Sequence, residues 1–279
     1  MTIGDSTRSP SATEQQRYAF DNALAVQSDR LRALEGSLDE GTIRLLEYLG
    51  VAPGWHCAEI AAGGGSIAGW LCRQVGPTGR VVATDLNPRY LRARREPNLT
   101  ILEHDITIDD LPEGTFDLVH ARLLLAWLPN PHAALQRIVG SLRPGGIFAS
   151  EEMDFISVAP DPRLDPDQQM VFERVIAAHL AVLIEANGFD PAYGRRLSGA
   201  LTEAGLTNLD TEGRAAMWGG ADAGGALFRL TLEQLREPMI AARRVTADEI
   251  DRALDLLADP SFTFLSQLTI AAWGRRPAV

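Results

Sequence analysis

The sequence predicts an α/β fold, a parallel sheet with helices on both faces, and two observations carry that expectation. Short apolar runs alternate with helix-like segments between Cys57 and Glu151, the pattern of repeated strand–helix–strand units. The first of those runs, Cys57-Ala58-Glu59-Ile60, leads into Ala61-Ala62-Gly63-Gly64-Gly65 and then into Ser66-Ile67-Ala68-Gly69-Trp70-Leu71, which reads as a helix. Glycine in such a turn lets backbone approach a ligand with no Cβ in the way. The start of the following helix directs free N–H groups to the same point.

Taken in order, 1–12 is a polar tail, and 13–34 reads as a helix with an apolar stripe through Leu24, Leu31, Leu34 and Leu38. A second helix near 39–49 stops at Gly50. Strands follow at 57–60, 80–85, 99–103, 115–120 and 147–151. Between them lie helices at 67–75 and 89–94 and one opened by Pro131. Pro160, Pro162 and Pro166 then break the rhythm. Beyond them a long helix covers 167–186, another 191–204, a strand 206–215, helices 226–243 and 247–258, and a closing strand 263–273. No linker separates these parts, so 13–279 reads as a single domain. Its parts are N-terminal helices (13–50), a binding core (51–155), a helical lid inserted after strand five (160–204) and C-terminal strands and helices (205–279).

Composition removes several function classes. A net charge of −11 opposes nucleic-acid binding, which wants basic faces. All 26 basic residues are arginine. A chain without lysine has no Walker A phosphate loop, no pyridoxal Schiff base and no Tyr-x-x-x-Lys pair. Cys57 and Cys72 lack metal-ligand spacing and fit a reduced, cytoplasmic protein. The N-terminus lacks a signal-peptide core, and no apolar run is long enough to cross a bilayer.

In parallel sheets ligands sit beyond the carboxyl ends of the strands, where this chain carries Glu59, Asp85, Asp105, His120 and Glu151-Glu152. Gly63-x-Gly65-x-x-Ala68, with Asp85 about 20 residues on, fits a dinucleotide fingerprint, so a nicotinamide enzyme stays open. Three features favour another cofactor. Glu59 ahead of the turn repels a pyrophosphate and suits an amine and a cation, Asp105 suits an adenine edge, and no second glycine fingerprint follows.

At these residues the sequence resembles the class I S-adenosylmethionine-dependent methyltransferases, in a bacterial small-molecule branch. The matching blocks are Glu59-Ile60-Ala61-Ala62-Gly63-Gly64-Gly65, Val81 to Pro88, His104-Asp105-Ile106, Phe116 to Arg122 and Leu142-Arg143-Pro144-Gly145-Gly146. The resemblance implies a Rossmann-like, seven-stranded, mostly parallel sheet whose last strand is antiparallel. It implies that Glu59 and the backbone of Ala61, Gly63 and Gly65 hold the methionine part of S-adenosylmethionine. Asp85 would take the ribose hydroxyls, Leu86 would pack on the adenine, Asp105 and Ile106 would read its edge, and the Ala121 backbone would border the methyl. Ala61 stands where that family has glycine, so its methyl crowds the cofactor wherever the backbone needs φ > 0. S-adenosylhomocysteine would be the product.

Methyl transfer from a sulfonium is an in-line displacement that depends on proximity, with a base helping where the acceptor is a hydroxyl. His120, at the end of strand four, and His179, on the lid stripe with Phe172, Ile176 and Leu183, are the candidate catalytic residues. On that stripe a satisfied core histidine is the competing reading. Tyr18, Arg122, Trp127 and Glu152 are candidate substrate contacts, each with a packing or ion-pairing alternative. Glu151, Glu152 and Asp154 lack diagnostic metal spacing, and a solvated or cofactor-facing role is expected for them. No Asn/Asp-Pro-Pro-Tyr run follows strand four, which disfavours methylation of a base amine. An apolar lid then points to a small, partly hydrophobic acceptor, with O-methylation first. A protein that binds the cofactor without transferring methyl is the alternative of a different class. Neither nucleic acid nor membrane is expected as a partner, and a homodimer stays open.

Overall fold

The computed structural model describes residues 26–278. Tyr18 and the helix expected to begin at residue 13 lie partly or wholly outside those residues. The seven-stranded sheet runs β3-β2-β1-β4-β5-β10-β7. Its strands are β1 (His56–Ile60), β2 (Arg80–Asp85), β3 (Leu99–Glu103), β4 (Phe116–Arg122), β5 (Leu142–Asp154), β7 (Thr207–Arg214) and β10 (Leu268–Arg275). The pairs β1–β2, β1–β4, β2–β3 and β4–β5 are parallel. β10 is antiparallel to both β5 and β7. The expected topology is present, antiparallel strand included.

Helix α1 (Val26–Tyr48) is continuous for 23 residues, where the sequence reading placed two helices with a break around Gly36. Gly36 within it is a close-approach position and not a helix end. A Cβ there would lie 3.1 Å from the Ala223 Cβ of another helix. α2 (Ser66–Val75) and the distal half of α1 cover one face of the sheet, packing Leu45, Leu46, Trp70 and Leu71 with strand residues such as Val81. α3 (Pro131–Ser141) buries Leu135 and Ile138 on the other. Asn130 caps α3 by accepting from Ala133 N, and Pro131 at its first turn forgoes an N–H that would have gone unpaired.

The remaining helices build a second layer: α4 (Pro166–Asn187), α5 (Leu197–Glu203), α6 (Ala223–Ala241) and α7 (Ala247–Ala258). Beside them lies a three-stranded sheet β6-β9-β8, made of β6 (Ala159–Pro160), β8 (Met217–Gly219) and β9 (Thr263–Leu265). Phe264 is central here, with ring centroids 5.3 Å from Phe228, 5.6 Å from Phe172 and 5.8 Å from Phe262. Buried phenylalanines stabilise by roughly 2–3 kcal/mol each, and these extend the cluster that packs on one face of the main sheet. The second layer draws on both 160–204 and 205–279, since α4 packs against α6 and α7. The single closing strand expected over 263–273 is two strands that belong to different sheets. α1 packs along α6, with Arg30 Nε donating to Thr231 Oγ1 at 3.3 Å.

Candidate functional site

The turn after β1 is bent by three residues in the left-handed region: Ala61 (φ +56°), Gly63 (φ +56°) and Gly65 (φ +82°). Ala62 N donates to Thr84 O at 2.9 Å and Gly65 N to Ala62 O at 2.8 Å, which fixes the turn against β2. Ala61 adopts that conformation without being glycine, at a cost of about 1–2 kcal/mol. The concern raised by its side chain is therefore real in the backbone.

Asp85, at the end of β2, is tied to the same turn. Its Oδ2 accepts from Gly63 N at 3.0 Å and its Oδ1 from Asn87 N at 2.9 Å. Burial pushes its carboxyl above the usual range, and the two amide bonds pull the other way. Leu86 beyond it is 53% exposed. At the end of β3, Asp105 Oδ1 accepts from Thr107 N and Oγ1, and Ile106 is buried. Both ring nitrogens of His104 are buried without a partner among the described residues.

Beneath the turn lies a charged network. His120 is fully buried, with Nδ1 2.7 Å from Glu59 Oε2 and Nε2 3.2 Å from Glu151 Oε2. Thr42 Oγ1 donates to Glu151 Oε2 at 2.5 Å and accepts from Arg122 Nη1 at 2.9 Å. Arg122 Nη2 reaches Asp39 Oδ1 at 2.9 Å, and Arg214 pairs with Glu151. Each ring nitrogen of His120 thus faces a carboxylate, and neither is left for an acceptor. Both arms of Arg122 are likewise held by α1.

α1 contributes a polar stripe, Glu35, Asp39 and Thr42, at helical spacing. Sequence reasoning missed these residues and Arg214. The signal was there for the first three: polar side chains at i, i+4 and i+7 interrupting a helix otherwise read for its leucines. Glu35 Oε1 accepts from Ser66 N at 3.3 Å, at the start of α2. Leu31, Leu34, Glu35, Glu59, Gly63, Gly64 and Arg122 are among the residues enclosing a cavity of ≈ 40 Å³, so α1 lies closely over the turn. A larger cavity of ≈ 290 Å³, lined by Tyr48, Ile147, Trp273 and Arg275, sits at the opposite end of β5, away from every charged strand end named here.

The acid cluster at the end of β5 is buried rather than solvated, and among the described residues no group of metal-ligating side chains converges. Each acid is buried and turned to a different partner. Glu151 joins His120, and Asp154 accepts from Arg195 Nε at 2.9 Å. Glu152 Oε1 accepts from Leu124 N at 2.9 Å and Leu125 N at 2.6 Å, holding the loop after β4, while Oε2 has no partner among the described residues. Burial raises the Glu152 carboxyl to about 7. In that loop Trp127 packs on Phe189, centroids 4.3 Å apart.

His179 is buried in the second layer, 2.7 Å from Ile176 O through Nδ1 and 5.7 Å from the Phe228 ring. Burial lowers it to about 4, which keeps it neutral. The structure gives it the core position weighed as the alternative.

The turn fits a cofactor with an amino-acid tail. A Cβ at Gly64 would crowd the Glu35 carboxyl, so glycine there lets Glu35 close over the turn. Residues 58–150 match the methyltransferase domain family. Among curated proteins, the chain is 31% identical over 145 residues to methyltransferase str3 of Strobilurus tenacellus, covering 51% of this chain and 50% of that one. It is 35% identical over 109 residues to a ubiquinone/menaquinone biosynthesis C-methyltransferase of Hydrogenovibrio crunogenus, covering 36% and 43%. The chain thus spans about half the length of these relatives. Phosphoethanolamine N-methyltransferase 2 of Haemonchus contortus shares the fold, with a TM-score of 0.56 at 14% identity over 94% of this chain and 60% of that one. Among the described residues no helix is long and apolar enough to cross a membrane.

Proposed function

We propose that this chain, whose residues 58–150 match the methyltransferase domain family, is a class I S-adenosylmethionine-dependent methyltransferase that transfers a methyl group from that cofactor to a small, partly apolar acceptor. The observation that carries the reading is the glycine turn, bent by positive φ and framed by the carboxylates of Glu59 and Asp85. Bound there, the cofactor supplies an electrophilic methyl on a sulfonium. Glu59 and the backbone of Ala61, Gly63 and Gly65 hold its amino-acid part. Asp85 takes the ribose hydroxyls; each oxygen already accepts one backbone N–H, which orients it and leaves lone pairs over. Leu86 covers the adenine, Asp105 and Ile106 read its edge, and the Ala121 backbone borders the methyl.

His120 acts from behind, holding Glu59 in one rotamer through the bond at Nδ1. Trp127, Arg122 and the loop anchored by Glu152 wall the acceptor side, and the second layer forms the lid. With both candidate histidines enclosed, the chain offers proximity and exclusion of water in place of a base. O-methylation then suits an acceptor whose hydroxyl ionises readily, such as a phenol, enol or carboxylic acid. The same enclosure favours the second reading, a cofactor-binding protein that transfers no methyl.

Titration calorimetry tests the first step. Saturable binding of S-adenosylmethionine and S-adenosylhomocysteine is expected. Asp85→Ala should weaken both by more than ~1 kcal/mol, the loss for a charged hydrogen-bond partner. Binding of NAD in their place, or unchanged affinity in a folded Asp85→Ala protein, would refute the assignment. Product analysis with ionisable hydroxylated acceptors separates transfer from binding alone.

A further inference from the structure

We infer that Glu35 is a charge-selecting residue of the cofactor site, favouring the cationic sulfonium cofactor over its neutral thioether product. The inference rests on the proposed function and adds a residue that lies outside the 58–150 core.

Glu35 comes from α1, yet it lines the same cavity as Glu59 and the glycine turn. Its Oε1 stands 3.3 Å from Ser66 N and occupies the space a Gly64 Cβ would take. Gly65, the residue before α2, offers no side-chain cap, so Glu35 supplies one from across the fold. Capping alone does not account for a glutamate. A neutral Gln or Ser accepts the same N–H, and a carboxylate here is loaded by burial and by Asp39 one turn along α1, both of which disfavour its charge. The positive groups nearby are committed elsewhere: Arg122 is held by Asp39 and Thr42. Glu59 is bonded to His120. Glu35 therefore brings to the cavity a carboxylate with no hydrogen-bonded cation among the described residues. Arg122 lines the same cavity and acts on it at longer range, but both its arms are tied to Asp39 and Thr42, a disposition that rewards a positively charged occupant.

The two ligands of the proposed reaction differ by one charge. S-adenosylmethionine carries a sulfonium, and S-adenosylhomocysteine carries a neutral thioether in its place. A fixed carboxylate facing their common site acts on that difference, and at an effective dielectric near 20 and a charge separation of roughly 12 Å its effect on the affinity ratio is about tenfold. In a turnover cycle this clears product in favour of fresh cofactor.

The test measures dissociation constants of both ligands by titration calorimetry for the wild type, Glu35→Gln and Glu35→Asp. Glu35→Gln keeps an oxygen for Ser66 N and removes only the charge. The expected result is that Glu35→Gln binds S-adenosylmethionine about tenfold more weakly with S-adenosylhomocysteine unchanged, while Glu35→Asp retains the wild-type ratio. Equal losses for both ligands, or none, with a wild type that binds both, would overturn the inference and leave the proposed function standing. A wild type that binds neither ligand overturns the proposed function itself. Should thermal melting show Glu35→Gln unfolded, Glu35→Ser gives the same comparison with the charge and the bulk both removed.

Discussion

Replacing Glu152 with glutamine isolates the energetic consequence of one buried carboxyl. In the native chain Oε1 takes two loop amides, Oε2 has no partner, and burial raises the group from the ordinary 4.5 to about 7. Between those two pH values the unfolded chain has released a proton that the native state retains. Stability is therefore lost as pH rises through that window, the direction required when an acid titrates higher in the native state. At 1.36 kcal/mol per pH unit the loss amounts to about 3 kcal/mol. Glutamine holds no titratable proton in either state. The free energy of unfolding of the wild type, minus that of Glu152→Gln, should then fall by about 3 kcal/mol from pH ~4.5 to pH ~8. Urea unfolding followed by circular dichroism across that range measures it. His179 and every other group cancel in the subtraction, as does the constant cost of placing an amide beside an unpartnered site. A difference that stays flat with pH would show that Glu152 is paired or hydrated in solution, and the account of its loop would fall.

Ala61→Gly should raise stability by ~0.5–1 kcal/mol, the relief of a left-handed alanine less the entropy of glycine, read as a higher melting temperature with cofactor affinity kept or improved. His179→Phe tests the opposite linkage. Burial holds His179 near 4, below its ordinary 6.5, so the wild type loses stability as pH falls through that interval and the phenylalanine variant should lack that loss. Matching acid-unfolding profiles for the two proteins would refute it.

What local pattern decides was legible in the sequence. β2, β3 and α7 fall on the residues expected, since each is bounded by turn or capping residues of its own: Pro77-Thr78-Gly79 before β2, and Thr246 with Glu249 as a reciprocal cap on α7. What distant partners decide was hidden. β5 extends to Asp154 because β10 pairs with it that far, and β6, β8 and β9 exist as strands only by pairing with one another. At the site, Glu59 and Asp85 stand out in the sequence by their places at the ends of the first two strands, one just ahead of the glycine turn and the other about 20 residues beyond it. Glu151 and Arg214 come together from separate strands with no local mark. The burial that takes His120 and His179 away from solvent likewise depends on contacts from other parts of the chain.

One helix roofs the glycine turn, supplies Asp39 and Thr42 to the strand-end network and leans on α6. A fragment trimmed to the family-like core would therefore not be a smaller version of this protein. Cutting after Tyr48 would strip Arg122 of both its partners and Glu151 of Thr42, leaving Glu151 to His120 and Arg214 alone, and would open two layers in one stroke. Any minimal, transplantable form of this fold has to begin upstream of the part that looks familiar.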